Sequence, residues 1–378
     1  MQVEQIKWSP KDKWQSISDK NLSDTANLVF AIGNFDLIQD PTRYDELRAK
    51  YPNADIITCG SDGEILNGKL VDQQIIVSAL YFEKTDIQCV QIDINQVKDS
   101  FDAGTHLSAD LDKDFITHLL VFSDSKNLQS SDLMTGIHIN LAKHVPVTGG
   151  LPGIYQDTDT SLVGLNGPPK KGQLIGIGFS GENLQVGYSI ARGWTSFGAE
   201  KTITKAENNR LYEIDHKSAY HFYQQYLEHV VDDVDQAISQ FPLGIKRVAS
   251  DPRIVRSAIE LHPDGSITFS SGFSIGDNIR MMKTNISSLL SSAQEAANHS
   301  LKPLDDQKAD FLLLVNCSGR RNVLKDWVCE EIESVNSILS YETPMMGFYS
   351  HGEISPNQPN SKSEVHNQCL VFTAFREN

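Results

Sequence analysis

Three stretches of the chain repeat one order of elements: a buried strand, a helix, a turn that contains glycine, and a second strand. They cover residues 28–80, 118–179 and 311–372. Each begins with a short, mostly apolar run, which is typical of a buried strand when turn residues bound it. Three copies at uneven spacing lack the fixed period of a solenoid. The repetition therefore predicts an α/β fold of the mixed α+β kind, in which duplicated strand-helix-turn-strand units form mixed sheets.

Two short motifs recur at matching places inside these stretches. Residues 66–68 and 165–167 both read Leu-Asn-Gly, and residues 61–65 and 350–354 both read Ser-x-Gly-Glu-Ile. Either identity alone could arise by chance in a chain of this length. Their matching positions within the repeated order make duplication the better interpretation.

A different segment separates the second and third copies. Apolar residues at helical spacing predict one long helix over 211–241. Strands at 256–261 and 266–270 flank the sequence Pro-Asp-Gly, which favours a hairpin because the turn needs a residue with positive φ. This segment has no counterpart in the first two copies.

The change of pattern near residues 205–215 suggests a domain boundary. The sequence thus predicts two related domains, over 21–210 and 211–378, after an N-terminal extension of residues 1–20. A length of 378 residues suits two domains or one large one.

Charge and cysteine content exclude several classes of protein. The chain has 33 Lys and Arg against 49 Asp and Glu, a net charge of −16, so it lacks the cationic surface that nucleic-acid binding needs. Five scattered cysteines without a C-x-x-C pair argue against a disulfide framework or a structural zinc site. Without a signal-peptide pattern or a run of 18 apolar residues, we expect a cytoplasmic protein that does not associate with membranes.

Several motifs together resemble one family, the FIST proteins, and the resemblance covers nearly the whole chain. They are the stretch 28–82 with its CGSDGEI turn, Tyr-Glu-Ile-Asp at 212–215, Phe-Pro-Leu-Gly at 241–244, Asn-Cys-Ser-Gly-Arg at 316–320, Gly-Phe-Tyr-Ser-His-Gly-Glu-Ile at 347–354, and His-Asn-Gln at 366–368. The resemblance implies a FIST N domain in the amino half and a FIST C domain in the carboxyl half. It also implies a sensory input protein that binds a small ligand and regulates a histidine kinase or cyclic-dinucleotide signalling.

One branch of stand-alone FIST proteins has a similar size and consists of haem-binding nitric oxide sensors. The resemblance therefore implies haem as cofactor, nitric oxide as signal and a histidine kinase as partner. The chain has no C-x-x-C-H attachment motif, so any haem would be non-covalent. The axial candidates are His351 and His366, and the presence of His351 where the first copy has Asp62 favours the carboxyl half.

The candidate ligand-binding residues lie in the glycine turns of the first and third copies. They are Cys317, Arg320, Tyr349, Glu353, Asp62 and Glu64. Alternate residues of an extended chain share a face, so Tyr349, His351 and Glu353 could point into one site. Arg320 could bind a carboxylate or a haem propionate through two parallel hydrogen bonds. In the structural alternative, Cys317 is a buried small residue and Arg320 forms an ion pair with Glu353.

Two alternatives to a haem sensor stay open. The first is a sensor of another small molecule, such as an amino acid. The second is a thiol hydrolase using Cys317 and His351, or a serine hydrolase using Ser274 of the G-x-S-x-G pattern at 272–276. A nucleophile elbow needs a helix after the serine, whereas the sequence that follows predicts a strand. We therefore expect no enzymatic activity; the sequence leaves the oligomeric state open.

Overall fold

The computed structural model of the chain describes residues 1–111, 116–125, 128–153, 161–246 and 252–378. The strands within them are β1 (Gln2–Ser9), β2 (Lys13–Ser16), β3 (Leu28–Asn34), β4 (Asp55–Ser61), β5 (Glu64–Leu66), β6 (Lys69–Leu70), β7 (Ile75–Tyr81), β8 (Asp86–Asp93), β9 (Ile116–Ser123), β10 (Val147–Pro152), β11 (Val163–Leu165), β12 (Gln173–Ser180), β13 (Leu184–Ala191), β14 (Thr195–Glu207), β15 (Arg210–Ile214), β16 (Lys217–Ser218), β17 (Leu243–Lys246), β18 (Ile254–Arg256), β19 (Ala258–Leu261), β20 (Ile267–Phe269), β21 (Asn278–Lys283), β22 (Phe311–Cys317), β23 (Met345–Pro356), β24 (Ser363–His366) and β25 (Leu370–Glu377).

The α-helices in the same part of the chain are α1 (Phe35–Ile38), α2 (Pro41–Lys50), α3 (Ser100–Ala109), α4 (Ser130–Asn140), α5 (Ala219–Leu227), α6 (Val234–Ala237), α7 (Ile286–Leu301), α8 (Ser318–Leu324) and α9 (Val328–Leu339). Short 3₁₀ helices follow at Ile94–Gln96, Ile238–Gln240, Lys302–Leu304 and Lys325–Trp327. None of the helices described has the length and the apolarity that crossing a membrane requires.

Twelve of the strands form three copies of one four-stranded unit. Unit 1 contains β1, β3, β4 and β7; unit 2 contains β8, β9, β10 and β12; unit 3 contains β13, β22, β23 and β25. In each unit the second strand pairs parallel with the third and antiparallel with the fourth, and the fourth pairs antiparallel with the first. A helix makes each crossover between the parallel strands, as parallel pairing requires. The predicted mixed α+β fold is confirmed, and each unit gains a first strand beyond the predicted ones.

Units 2 and 3 share one sheet, whereas unit 1 has a sheet of its own. The two units join in the middle of the shared sheet, where β10 pairs antiparallel with β23 and Gly150 lies opposite Glu353. β5 of the first stretch also joins it, by pairing with β23. β1 is the first strand of unit 1 and lies within residues 1–20, the segment predicted as an extension. The predicted boundary at residue 210 coincides with the start of β15.

The repeated Leu-Asn-Gly motifs dock one unit onto another. Asn67 and Asn166 both have positive φ, 47° and 53°, which asparagine tolerates better than most residues. Asn67 Oδ1 accepts from the Met345 N–H at 2.9 Å, and Asn166 Oδ1 accepts from the Ile56 N–H at 3.0 Å. Each motif thus binds the start of the third strand of a neighbouring unit: unit 1 binds unit 3, and unit 2 binds unit 1.

A third sheet, formed by β14 to β21, is inserted between the first and second strands of unit 3. The predicted hairpin is confirmed in it, since β19 pairs antiparallel with β20 and Gly265 has a φ of 77°. The single long helix predicted over 211–241 is wrong. Residues 210–218 form β15 and β16 instead, because β15 pairs with β14 and β20, and two short helices follow. Tertiary strand pairing here overrides the local helical pattern.

The second strand of unit 1 lies across the main core from the second strands of units 2 and 3. Phe30 of β3 lies 5.8 Å from Phe122 of β9 and 6.4 Å from Phe311 of β22, between ring centroids. Aromatic rings at these distances contribute to packing beyond the area they bury. This packing brings the carboxyl ends of β3, β9 and β22 to one end of the molecule.

Candidate functional site

A cavity of about 1610 Å³ lies where these three carboxyl ends meet. Its wall includes Asn34 and Phe35 after β3, Ser125 after β9, and Cys317 and Ser318 at the end of β22. The carboxyl ends of parallel strands are where ligands bind in open α/β sheets. The volume exceeds the roughly 300–1,000 Å³ of ordinary small-molecule pockets. Because of its position at these strand ends, we take this cavity as the candidate site.

The two Ser-x-Gly-Glu motifs meet at the cavity wall. Asp62 of the first motif accepts a hydrogen bond on Oδ2 from Ser318 Oγ at 2.8 Å, and the same oxygen lies 2.8 Å from His351 Nε2 of the second motif. The variable positions of the two copies are thus bonded to each other, and all three residues line the cavity. The two motif copies differ at this position, with Asp62 in one and His351 in the other, and these two side chains form a contact between units 1 and 3.

Inside each motif the serine binds the glutamate. Ser61 Oγ lies 3.2 Å from Glu64 Oε1, and Ser350 Oγ lies 2.7 Å from Glu353 Oε1. Both glutamates are buried, and burial raises the pKa of Glu64 well above its usual value and that of Glu353 to about 8. Glu64 lines the cavity, whereas Glu353 lies behind its wall. A neutral carboxyl group in such a place can donate a hydrogen bond at pH 7.

Arg321 connects α8 to the first motif and forms part of the cavity wall. Its Nη1 donates to the Asp62 carbonyl, and its Nη2 lies 2.8 Å from Asp72 Oδ2. The guanidinium also stacks over the Tyr349 ring, 5.0 Å from the centroid. Sequence reasoning missed Arg321, which directly follows the arginine that it selected. Successive residues of a helix point in different directions, so a helix beginning at Ser318 would have indicated that Arg320 and Arg321 face different surroundings.

Arg320 points away from the cavity into the protein core. Its guanidinium is fully buried and lies 2.7 Å from Glu331, and it donates further to the Arg192 and Leu289 carbonyl oxygens at 2.7 Å. The predicted ion pair of Arg320 with Glu353 is therefore wrong, because Glu331 of α9 takes the guanidinium. A buried arginine with these acceptors holds α7, α8 and α9 together.

Cys317 and Glu353 belong to one buried cluster with Cys369. Cys369 Sγ lies 3.2 Å from Glu353 Oε2, and the Cys317 thiol also hydrogen-bonds this carboxyl group. Burial raises the pKa of both thiols. Cys317, a predicted ligand-binding residue, lies at the cavity wall, whereas Cys369 was not selected from the sequence.

Two other predicted residues, Tyr349 and His366, lie away from the cavity wall. Tyr349 is fully buried, and its hydroxyl has no hydrogen-bond partner among the described residues. His366 is also buried, with Nε2 3.0 Å from the Ser355 carbonyl oxygen. Tyr349, His351 and Glu353 do not converge on the cavity, because only His351 lines it.

The lining of the cavity fits a polar ligand better than haem. Its wall is mainly serine, asparagine, glutamine and charged side chains, whereas haem needs an apolar pocket for its macrocycle. His366 is enclosed, and His351 bonds Asp62. Within the described ranges, no three His, Cys, Asp or Glu side chains form a group that could hold a metal ion.

The inserted sheet supplies the opposite wall, which sequence reasoning did not select. Ser257 Oγ accepts from Gln368 Nε2 at 3.0 Å, and Ser270 Oγ donates to Asn367 Oδ1 at 2.7 Å. All four residues line the cavity. Gln368 is buried with a φ of 61°, and its Oε1 has no hydrogen-bond partner among the described residues. Its amide therefore has hydrogen-bonding capacity left for a ligand.

The G-x-S-x-G pattern lies in a turn of this inserted sheet. The Ser274 N–H donates to Asp277 Oδ2 at 2.8 Å, and β21 follows rather than a helix. The segment thus lacks the strand-turn-helix context of a nucleophile elbow.

Two family models match the chain in succession. The FIST N domain matches residues 27–217, and the FIST C domain matches residues 219–356. Together they cover unit 2, the inserted sheet and most of units 1 and 3. The strands outside the matches are β1 and β2 at the start and β24 and β25 at the end. No curated protein matches the chain.

Proposed function

Because the chain belongs to the FIST family, whose domains are small-ligand sensors in signalling proteins, we propose that its cavity binds a small polar ligand of the amino-acid type. The observation that carries this proposal is the presence of both charge signs on one polar wall. Asp62 and Asp72 lie beside Arg321 on one side, and Lys325 and Lys283 also line the cavity. A zwitterion carries one group for each sign.

Arg321 is the proposed receptor for the ligand carboxylate. Asp62 and Asp72 hold two of its nitrogens, so its planar group is already fixed before a ligand arrives. A guanidinium can bind a carboxylate through parallel hydrogen bonds, and a fixed one loses less entropy on binding. The proposed acceptors for the ligand ammonium group are two oxygens without a hydrogen-bond partner among the described residues, Oε2 of the neutral Glu64 carboxyl group and Oε1 of the Gln368 amide.

The implied haem and nitric oxide sensor stays a prediction with less support, because the lining is polar. A visible spectrum separates the two ligand classes. After expression with haem supplied, a Soret band that nitric oxide alters would support the haem sensor and would overturn the amino-acid proposal. The implied histidine kinase partner fits either ligand.

The inserted sheet offers a route by which binding could change the molecular surface. It contacts units 2 and 3 through polar pairs such as Ser257 with Gln368, Ser270 with Asn367 and Ser130 with Ser271. Polar interfaces inside a chain permit relative motion more readily than apolar ones. A ligand that contacts both walls would bind more tightly when the walls are close together than when they are apart. Only this difference between its affinities for the two arrangements can be transmitted to a partner.

The proposal is tested by thermal unfolding of the full chain with each of the common amino acids at millimolar concentration. A ligand should raise the unfolding temperature, and calorimetry should then give its affinity. Arg321→Ala should weaken binding at least tenfold, whereas Lys302→Ala, on the surface and outside the cavity wall, should not. If no amino acid shifts the unfolding temperature, the proposed ligand class is wrong. Ester hydrolysis by the unmodified chain would instead support the hydrolase alternative.

A further inference from the structure

Two thiols and one carboxyl group form a cluster behind the cavity wall that ligand binding does not explain. Asn316 of β22 pairs with Leu370 of β25, and next to this pair the Cys317 N–H donates to the Cys369 carbonyl at 3.1 Å. Directly opposite residues on antiparallel strands project to the same face of a sheet. Cys317 and Cys369 continue this register and share that one backbone bond, while the Cys369 N–H lies 3.4 Å from Glu353 Oε2. Opposite residues of antiparallel strands have Cα atoms roughly 4.5–5.5 Å apart, which is within the range that a disulfide can span.

We propose that Cys317 and Cys369 are a peroxide-reactive dithiol that opens onto the cavity and closes to a disulfide. Cys317 is the residue that peroxide reaches, because it lines the cavity, and Cys369 behind it is the resolving thiol. This activity is separate from the ligand binding proposed above and does not depend on it.

Burial and the neighbouring Glu353 raise the pKa of the Cys317 thiol, whereas three backbone N–H groups act against that shift. The Gln368 N–H donates to Sγ at 3.2 Å, and the Gly319 and Arg320 N–H groups also act to lower the pKa of this thiol. Glu353 touches both thiols and can take their protons when it is ionised. Arg192 favours the thiolate form of Cys369. Burial keeps both Cys317 and Glu353 protonated at neutral pH, so the reaction depends on the ionised fraction of Glu353 and becomes faster as the pH rises towards about 8.

The chemistry balances with a peroxide as the oxidant. The Cys317 thiol gives its proton to the Glu353 carboxylate, and its sulfur attacks one peroxide oxygen. An S–O bond forms, the O–O bond breaks, and the leaving hydroxide takes the proton back to become water. The Cys369 sulfur then attacks Cys317 Sγ, the S–O bond breaks, and the second hydroxide leaves as water with the Cys369 proton. Two thiols are oxidised by two electrons to a disulfide while one peroxide is reduced to two waters.

The chain contains its own controls. Cys329 is exposed and reports general oxidation of a surface thiol. Cys59 is buried near Glu64 in the first motif copy, but the residue opposite it in β3 is Ile32 rather than a cysteine. Trypsin places these residues on separate peptides, 309–320 for Cys317, 363–376 for Cys369, 326–362 for Cys329 and 51–69 for Cys59.

The test is hydrogen peroxide treatment of the folded full chain, followed by alkylation, trypsin and mass spectrometry without reduction. We expect peptides 309–320 and 363–376 to appear joined and two hydrogens lighter, and dithiothreitol to separate them. Cys369→Ser should leave a sulfenic acid at Cys317 that dimedone traps, and Cys317→Ser should give neither product. Glu353→Gln should slow disulfide formation at least tenfold.

The inference would be overturned if Cys329 is oxidised while peptides 309–320 and 363–376 stay reduced. It would also be overturned if Cys59 reacts as fast as Cys317, because the facing thiol would then be irrelevant. Thermal unfolding of each variant shows whether it is folded, and the result on the unmodified chain decides the proposal even where a variant is not.

Discussion

At the residue scale, two neighbouring arginines of α8 lie in different surroundings, one in the core and one at the cavity. Arg320 is fully buried against Glu331, whereas Arg321 is partly exposed at the cavity. The sequence shows two arginines in succession after a buried strand. Only the helical turn that starts at Ser318 decides which one enters the core. Sequence reasoning could thus find the segment that forms the site but not the side chain that faces it.

These two arginines give the first prediction. Arg320→Ala should lower the free energy of unfolding by about 3–5 kcal/mol, because it leaves the Glu331 carboxylate buried without its partner. Arg321→Ala should lower it by less than about 1 kcal/mol, since its pair with Asp72 is partly exposed. Urea unfolding of both variants measures the difference. Equal losses would contradict the assignment of separate structural and ligand-binding roles.

Glu353 gives a prediction on the pH dependence of stability. Its pKa is about 8 in the folded chain against a usual value of 4.5, and burial is the main cause. Between these two values the unfolded chain loses the proton while the folded chain keeps it, so this residue makes stability fall as pH rises from about 4.5 to about 8. Below that window its full contribution is present, and above it the loss levels off.

Glu353→Gln should remove that contribution to the pH dependence. Relative to the unmodified chain, the variant should gain roughly 2–5 kcal/mol in unfolding free energy between about pH 5 and pH 8. Urea unfolding across this range measures the difference. His118 and His366, whose pKa values are lowered by burial, act in the opposite direction but are present in both proteins. A pH-independent difference would show that Glu353 is ionised in the folded chain.

At the element scale, the repeated order of strands and the helical crossovers were visible in the sequence, since buried strands and turn residues have strong local patterns. The first strand of each unit was not. β8 is an edge strand with several exposed positions, and β1 is separated from β3, the next strand of its unit, by β2 and residues 17–27. The helix predicted over 211–241 was wrong because residues 210–214 form a strand that pairs with β14 and β20. Such pairing depends on residues distant in the chain.

The Leu-Asn-Gly motifs are predicted to stabilise the contacts between units. Asn67→Ala and Asn166→Ala should each cost about 1–3 kcal/mol, through loss of a hydrogen bond to a strand N–H and through strain at positive φ. Asn67→Gly and Asn166→Gly are the matched controls. Glycine removes the hydrogen bond but tolerates the backbone, so the cost should be smaller. If alanine and glycine cost the same, backbone strain makes no contribution.

At the scale of the whole molecule, duplication explains the position of the cavity. Three equivalent strands end at one place because unit 1 packs against the sheet that units 2 and 3 share, and the inserted sheet then covers that place. The sequence showed the repeat and the turns of units 1 and 3 that line the cavity. It could not show that the insertion supplies the second wall, since Ser257 and Ser270 carry no motif and reach the cavity only through tertiary packing.

The polar contact between the inserted sheet and the rest of the chain leads to the last prediction. Ser257 and Ser270 each hold one residue of the 367–368 turn by a hydrogen bond, and a typical bond of this kind contributes about 1 kcal/mol. The variant Ser257→Ala with Ser270→Ala should therefore raise hydrogen exchange in residues 252–271 while exchange in β9 and β22 stays slow. Ser266→Ala, which breaks contacts to Asp264 and Arg210 within the inserted sheet, is the control and should leave exchange in residues 363–368 unchanged. If the double variant instead raises exchange equally in all three sheets, the molecule opens as one cooperative body, and the inserted sheet cannot move separately to signal that the cavity is occupied.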